Sequence, residues 1–152
     1  MTENKIIHKD LNLENILVQY ETEEKLRYIV KLKLTNNSCI LENLSNITKS
    51  QILSSKLCFI APEILKKENY DEKSDLWSLG AIIYMLAFKQ HPFNGDNVLL
   101  ILNHKFEHSL QKQTGNEYLD DLIKKLLVED PKKRLTWQQY FNHPFFKSQD
   151  FR

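Results

Sequence analysis

Glycine is nearly missing from this chain: three occur in 152 residues, and the first is Gly80. A glycine-rich loop that cradles phosphates with its backbone is therefore excluded from the first half. Cysteine is equally scarce. Cys39 and Cys58 form no C-x-x-C pair, so neither a disulfide framework nor a zinc site is indicated. Reduced thiols in an intracellular, cytoplasmic protein are the expectation. No aspartate occurs between Asp10 and Asp71. Long hydrophobic runs are lacking too. The longest nearly apolar stretch, Leu76 to Phe88, is interrupted by Ser78 and falls short of the ~20 residues of a membrane span. The start, Met1-Thr2-Glu3-Asn4-Lys5, is polar and has no apolar signal region. Neither sign of charge dominates: 21 Lys and Arg face 20 Asp and Glu, for a net charge of +1. That balance gives no reason to expect a nucleic-acid or membrane partner.

What is present suits one domain, whose length allows roughly 70% of the unfolded surface to be buried. Asn15 to Tyr20 reads as a short strand, and Glu21 to Lys25 as a charged turn. Leu26, Tyr28, Val30, Leu32 and Leu34 then alternate with Arg27, Lys31 and Lys33, the period of a half-buried strand. The pair predicts a hairpin. Thr35 to Leu57 is polar and irregular, a loop in which Ser45, Thr48, Ser50, Ser54 and Ser55 read as solvated residues or as phosphorylation sites.

Asp71 to Gln90 holds the strongest helix. Asp71, Ser74 and Asp75 are cap candidates, and the residues after them are apolar on every side, which predicts an interior helix. Pro92 stops it. Asp96 to Phe106 predicts a short helix and Asn116 to Glu129 a clearer one. In the latter, Asp120–Lys124 and Asp121–Lys125 are i,i+4 pairs worth about 0.2–0.5 kcal/mol each. A last helix falls around Trp137 to Asn142, and residues 147–152 read as a tail. His104 and His108 have a zinc-compatible spacing, but no third ligand is evident, so surface residues are the preferred reading.

The chemistry-bearing stretch is Ile6-Ile7-His8-Lys9-Asp10-Leu11-Asn12-Leu13-Glu14-Asn15, followed by the apolar Ile16-Leu17-Val18. It resembles the catalytic loop of eukaryotic protein kinases, H-R-D-L-x-x-x-N before a short strand. Three further motifs follow in the family's order: Ala61-Pro62-Glu63, then Lys73-Ser74-Asp75-Leu76-Trp77-Ser78-Leu79-Gly80, then Arg134. The resemblance covers residues 6 to 146, closing on His143-Pro144-Phe145-Phe146. It implies that Asp10 occupies the position of the base that accepts the proton of the attacking hydroxyl, and Asn15 that of an amide on magnesium. It further implies that Asp75 braces the loop backbone and that Glu63 pairs with Arg134.

The same resemblance exposes departures. Lys9 stands for the usual Arg and keeps the charge without the guanidinium fork. Asn12 stands where Ser/Thr kinases carry a phosphate-contacting Lys. Asn36-Asn37-Ser38 stands where the D-F-G magnesium motif is expected, so Asn36 replaces the metal carboxylate. Lys56 falls where a substrate-contacting Thr is common. The seven residues before Asp10's motif hold no glycine-rich loop, strand lysine or helix glutamate.

The expected fold is α+β: a protein-kinase-like C-terminal lobe over 1–146, mostly helical with a small β-hairpin, and without an N-terminal lobe. The family's cofactors are ATP and Mg2+. With its metal carboxylate, loop lysine and nucleotide roof missing, the chain is expected to be an inactive, pseudokinase-like lobe acting through a protein partner. The alternative is a fragment of a longer, active Ser/Thr protein kinase.

Overall fold

The computed structural model describes residues 7–8, 10–20, 28–32, 57–69, 71–93 and 112–148. Lys9, Asn36, Lys56, His104, His108 and the helix expected over Asp96 to Phe106 lie outside the described residues, as does the polar loop up to residue 56.

The chain enters through a 3-10 turn, Leu13–Asn15, which runs directly into strand β1, Ile16–Tyr20. Asn15 therefore belongs to the turn and not to the strand, one residue later than the alternation alone suggested. Strand β2, Tyr28–Leu32, returns antiparallel, with Ile16 opposite Leu32 and Tyr20 opposite Tyr28. The β-branched pair Val18 and Val30 sits at its centre. Leu17 and Val18 are consecutive, so they point to opposite faces, and both are more than half exposed at 52% and 55%.

After a second 3-10 turn, Leu57–Phe59, comes the short helix α1, Pro62–Leu65, with Pro62 at its start where a missing N–H costs nothing. Helix α2, Lys73–Phe88, is the centre of the molecule. Its N-terminus is held from outside by Asp71, whose side chain accepts the Lys73 N–H at 2.8 Å. Ser74 and Asp75, named above as cap candidates, are instead inside the helix and turned into the core. The helix ends where Lys89 adopts a left-handed conformation, φ 54°, and its N–H returns to the Met85 carbonyl. The expectation of an all-round interior helix holds for Leu76, Trp77, Ala81, Ile82 and Tyr84, which are buried, but fails at Leu86, which is 68% exposed.

Helix α3, Glu117–Leu126, packs along α2. Gly80 decides how closely: a Cβ there would lie 2.8 Å from the Leu126 Cβ. Ahead of α3, Gly115 takes φ 85°, a turn conformation open to glycine at no steric cost. Asn116 then caps the helix by accepting the N–H groups of Tyr118 and Leu119 at 3.0 and 3.1 Å. Of the two predicted i,i+4 pairs, Lys125 to Asp121 is present at 2.7 Å. Asp120 turns the other way and accepts the Thr114 N–H at 2.8 Å, because that bond closes the turn feeding the helix.

Helix α4, Trp137–Phe141, carries a reciprocal capping box between Thr136 and Gln139. Helix α5, Pro144–Ser148, follows, so the helix runs on through Lys147 and Ser148. His143 ties this end to α3: Phe145 donates its N–H to Nδ1, leaving Nε2 to donate to Asp121 at 3.0 Å. Among the described residues two apolar clusters result. The larger gathers Leu11, Phe59, Ile64, Trp77, Ile82 and Ile123 among others. The smaller joins Leu76, Leu122 and Leu126 to aromatics of α4 and α5. Leu11 ties the site to the first of these.

Candidate active site

The site is built on the loop before β1. Leu11 is buried in the larger core and anchors the loop at its middle. At the loop's entry the His8 N–H donates to Asp75 Oδ2 at 2.7 Å, with both residues buried. A buried carboxylate is costly unless donors meet it, and here the donor is main chain, so the bond fixes backbone position as well as charge. Asp75 reaches the loop because it lies on the first turn of α2, 67 residues away in sequence.

Between these anchors the loop closes on Asp10. Asn12 Nδ2 donates to Asp10 Oδ1 at 2.8 Å and to the Asp10 carbonyl at 3.1 Å. Asn15 Nδ2 donates to Asp10 Oδ2 at 3.0 Å and to the same carbonyl at 2.7 Å. Each carboxylate oxygen thus meets one side-chain amide. The orientation of Asn12 is fixed independently, because its Oδ1 accepts the Glu14 N–H at 2.9 Å. That bond caps the 3-10 turn, which in turn brings Asn15 back under Asp10. Asn12 is only 4% exposed, and both its polar atoms are used inside the loop.

The position at which the resemblance implies a phosphate contact is therefore occupied by a side chain facing inward. The role of Asn12 as a clamp was missed by sequence reasoning. The available signal was an Asn before the Leu-Glu-Asn turn, a good capping residue.

Glu63 and Arg134 meet at the first turn of α2, beside Lys73 and Ser74. Arg134 Nη1 and Nη2 donate to Glu63 Oε1 and Oε2 at 2.8 and 2.9 Å, and both side chains are essentially solvent-free. The remaining guanidinium donors go to the carbonyls of Val128, Lys73 and Glu129. Ser74 Oγ donates to Glu63 Oε1 at 2.7 Å. Burial works to raise the Glu63 carboxyl, but the Arg134 bonds and charge outweigh it and hold it below the usual range. The Arg134 guanidinium also lies 5.3 Å over the Trp77 ring. This pair binds α1 to the turn after α3, and among the described residues its hydrogen bonds go to none of the Asp10 loop.

A second pairing was not anticipated from sequence. Cys58 Sγ lies 3.1 Å from His91 Nδ1. Cys58 is buried, and burial pushes its thiol up to about 12, against a small lowering from the backbone. The pair is therefore a thiol beside a ring nitrogen and not an activated thiolate. Among the described residues no three of His, Cys, Asp and Glu gather as a metal site would require. No described helix is long and apolar enough to cross a membrane.

The comparisons with known proteins agree with this architecture. The family model described as "Protein kinase domain" matches residues 1–146. The chain belongs to the protein kinase domain family. Its relatives include the serine/threonine-protein kinase ATG1c of Arabidopsis thaliana, 32% identical over an alignment covering 99% of this chain and 21% of that protein. Serine/threonine-protein kinase TIO of the same plant is 31% identical, covering 95% of this chain and 10% of its own length. Aurora kinase of Dictyostelium discoideum is 30% identical, covering 93% and 35%. The chain thus spans between a tenth and about a third of the length of these relatives.

Proposed function

We propose that this chain is a serine/threonine-kinase-like C-terminal lobe, spanning 1–146, that does not itself transfer phosphate and acts by binding a partner protein. The observation that carries this reading is the state of Asp10. Its two carboxylate oxygens are engaged by Asn12 and Asn15, the side chains that in kinases would face phosphate and metal. Kinases use ATP with Mg2+, and magnesium is usually held through carboxylates together with substrate phosphates. The residues at the family's two metal positions, Asn15 and Asn36, supply no carboxylate for that ion. Asn15 donates its amide nitrogen to Asp10 and keeps its neutral side-chain oxygen, the atom that would meet the ion. Asn36, where the family has its metal carboxylate, is also neutral. Retained bracing through Asp75, with the charges for phosphoryl transfer lost, suits a lobe kept for its surface.

The test is a kinase assay of the purified chain with Mg-ATP and a generic protein substrate. No phosphate transfer above a buffer control is expected. Transfer by the wild type that disappears in Asp10→Asn would refute the reading.

A second reading has an observation of its own. The relatives extend far beyond the matched region, and Leu17 and Val18 leave both faces of β1 open to further packing. On this reading the chain is part of a longer, active serine/threonine kinase. Genomic sequence upstream of Met1 discriminates: an in-frame glycine-rich loop and strand lysine would support it, and their absence would remove it.

A further inference from the structure

We infer that Asn12 is a positioning residue: acting through Asp10, it holds the loop closed with the loop's own amides and not with a bound phosphate. Two features of the geometry require this reading. First, Asn12 spans two jobs at once. Its Nδ2 grips the Asp10 carboxylate and carbonyl, while its Oδ1 caps the turn at Glu14. Second, that turn carries Asn15, whose amide grips the other Asp10 oxygen. The side chains of Asn12 and Asn15 therefore enclose one carboxylate from both sides, and each contact orients the next. A lysine at position 12 would supply a charge for phosphate but no acceptor for the Glu14 N–H. With asparagine there, the loop is pre-organised without any ligand. Asp10 becomes the hub of the turn, whatever its service in catalysis.

The inference does not depend on whether the chain transfers phosphate, and its tests read stability and amide exchange, not activity. Asp10→Asn in the full chain must set one NH2 against another, because an amide offers only one acceptor oxygen to two donors. Asn12→Asp sets two carboxylates against each other but keeps an acceptor for Glu14. Both single variants are expected to unfold at lower urea than the wild type. The double variant, Asp10→Asn with Asn12→Asp, reverses the polarity of the side-chain contact, though not of the contact to the Asp10 carbonyl, and is expected to recover part of the loss. Losses that simply add in the double variant would overturn the assignment.

Amide exchange of Glu14, measured by NMR, keeps the test open if a single variant folds poorly. Asn12→Ala should raise that exchange roughly five- to tenfold, the loss of one hydrogen bond. Asp10→Ala should raise it too, although Asp10 makes no bond to Glu14, because Asn12 loses its hold. Exchange unchanged in Asp10→Ala would show that Asn12 caps the turn alone, and the positioning role would fall.

Discussion

Replacing Arg134 by methionine removes one half of a solvent-free ion pair and leaves the other half behind. Glu63 would keep only the Ser74 hydroxyl as a side-chain donor to its carboxylate, in a site that excludes water. The carbonyls of Val128, Lys73 and Glu129 would lose the same partner. Breaking a buried pair in this way typically costs about 3–5 kcal/mol. Glu63→Gln is milder. The guanidinium keeps its three carbonyls and one amide oxygen, so a cost of about 1.5–3 kcal/mol is expected, the range for a hydrogen bond to a charged group. Urea titration followed by tryptophan fluorescence reads both, since Arg134 lies over the Trp77 ring. At a slope of about 2 kcal/mol per molar, Arg134→Met should move the midpoint by roughly 2 M.

The pH dependence follows from the same pair. Glu63 is held below its usual value of 4.5, so its contribution is present above that pH in the wild type. It is lost as pH falls through the lower, folded value. That acid-sensitive component should vanish from the Arg134→Met chain. A midpoint shift below about 0.5 M for Arg134→Met, or a greater loss in Glu63→Gln, would refute the reasoning.

Gly80→Ala should destabilise by about 1–3 kcal/mol despite alanine's better helix propensity, because its Cβ meets Leu126 Cβ at 2.8 Å and neither helix can yield cheaply. Thermal melting checks this, and an unchanged or raised transition would contradict the close approach of α2 and α3. Cys58 should resist thiol reagents in the native state, since at pH 8 a thiol titrating near 12 is thiolate in only about one molecule in ten thousand. In a Cys39→Ser chain, aromatic disulfide reagent should react slowly until denaturant is added. Rapid native labelling would contradict a buried, protonated Cys58 thiol.

Much of the fold was legible along the chain because the signals are local. The runs from Asn116 and Trp137 were placed from local residue pattern, and the structure caps them within one turn through Asn116 and Thr136; α2 ends at the left-handed Lys89, ahead of Pro92. The hairpin was visible for the same reason, as alternation over a few residues. Local pattern was less able to say which of two adjacent polar residues faces inward. Ser74 and Asp75 look like caps from sequence; in the fold their partners, Glu63 and the His8 N–H, come from distant segments. Asp120 likewise had two local partners available, and the turn at Thr114 won over Lys124.

By itself the sequence determined membership of the protein kinase domain family and the order of β1, β2, α2, α3 and α4, because residue type and spacing are properties of the chain alone. The tertiary structure decided what the remaining polar groups do. The resemblance implied the Glu63–Arg134 pair and the bracing by Asp75, but folding supplies their geometry, joining Glu63 to Arg134 across 71 residues and His8 to Asp75 across 67. Only the folded turn shows Asn12 facing Asp10 instead of solvent. The physical reason is the same in each case: a polar group withdrawn from water must find its partner in three dimensions, and that partner is selected by packing and not by sequence distance.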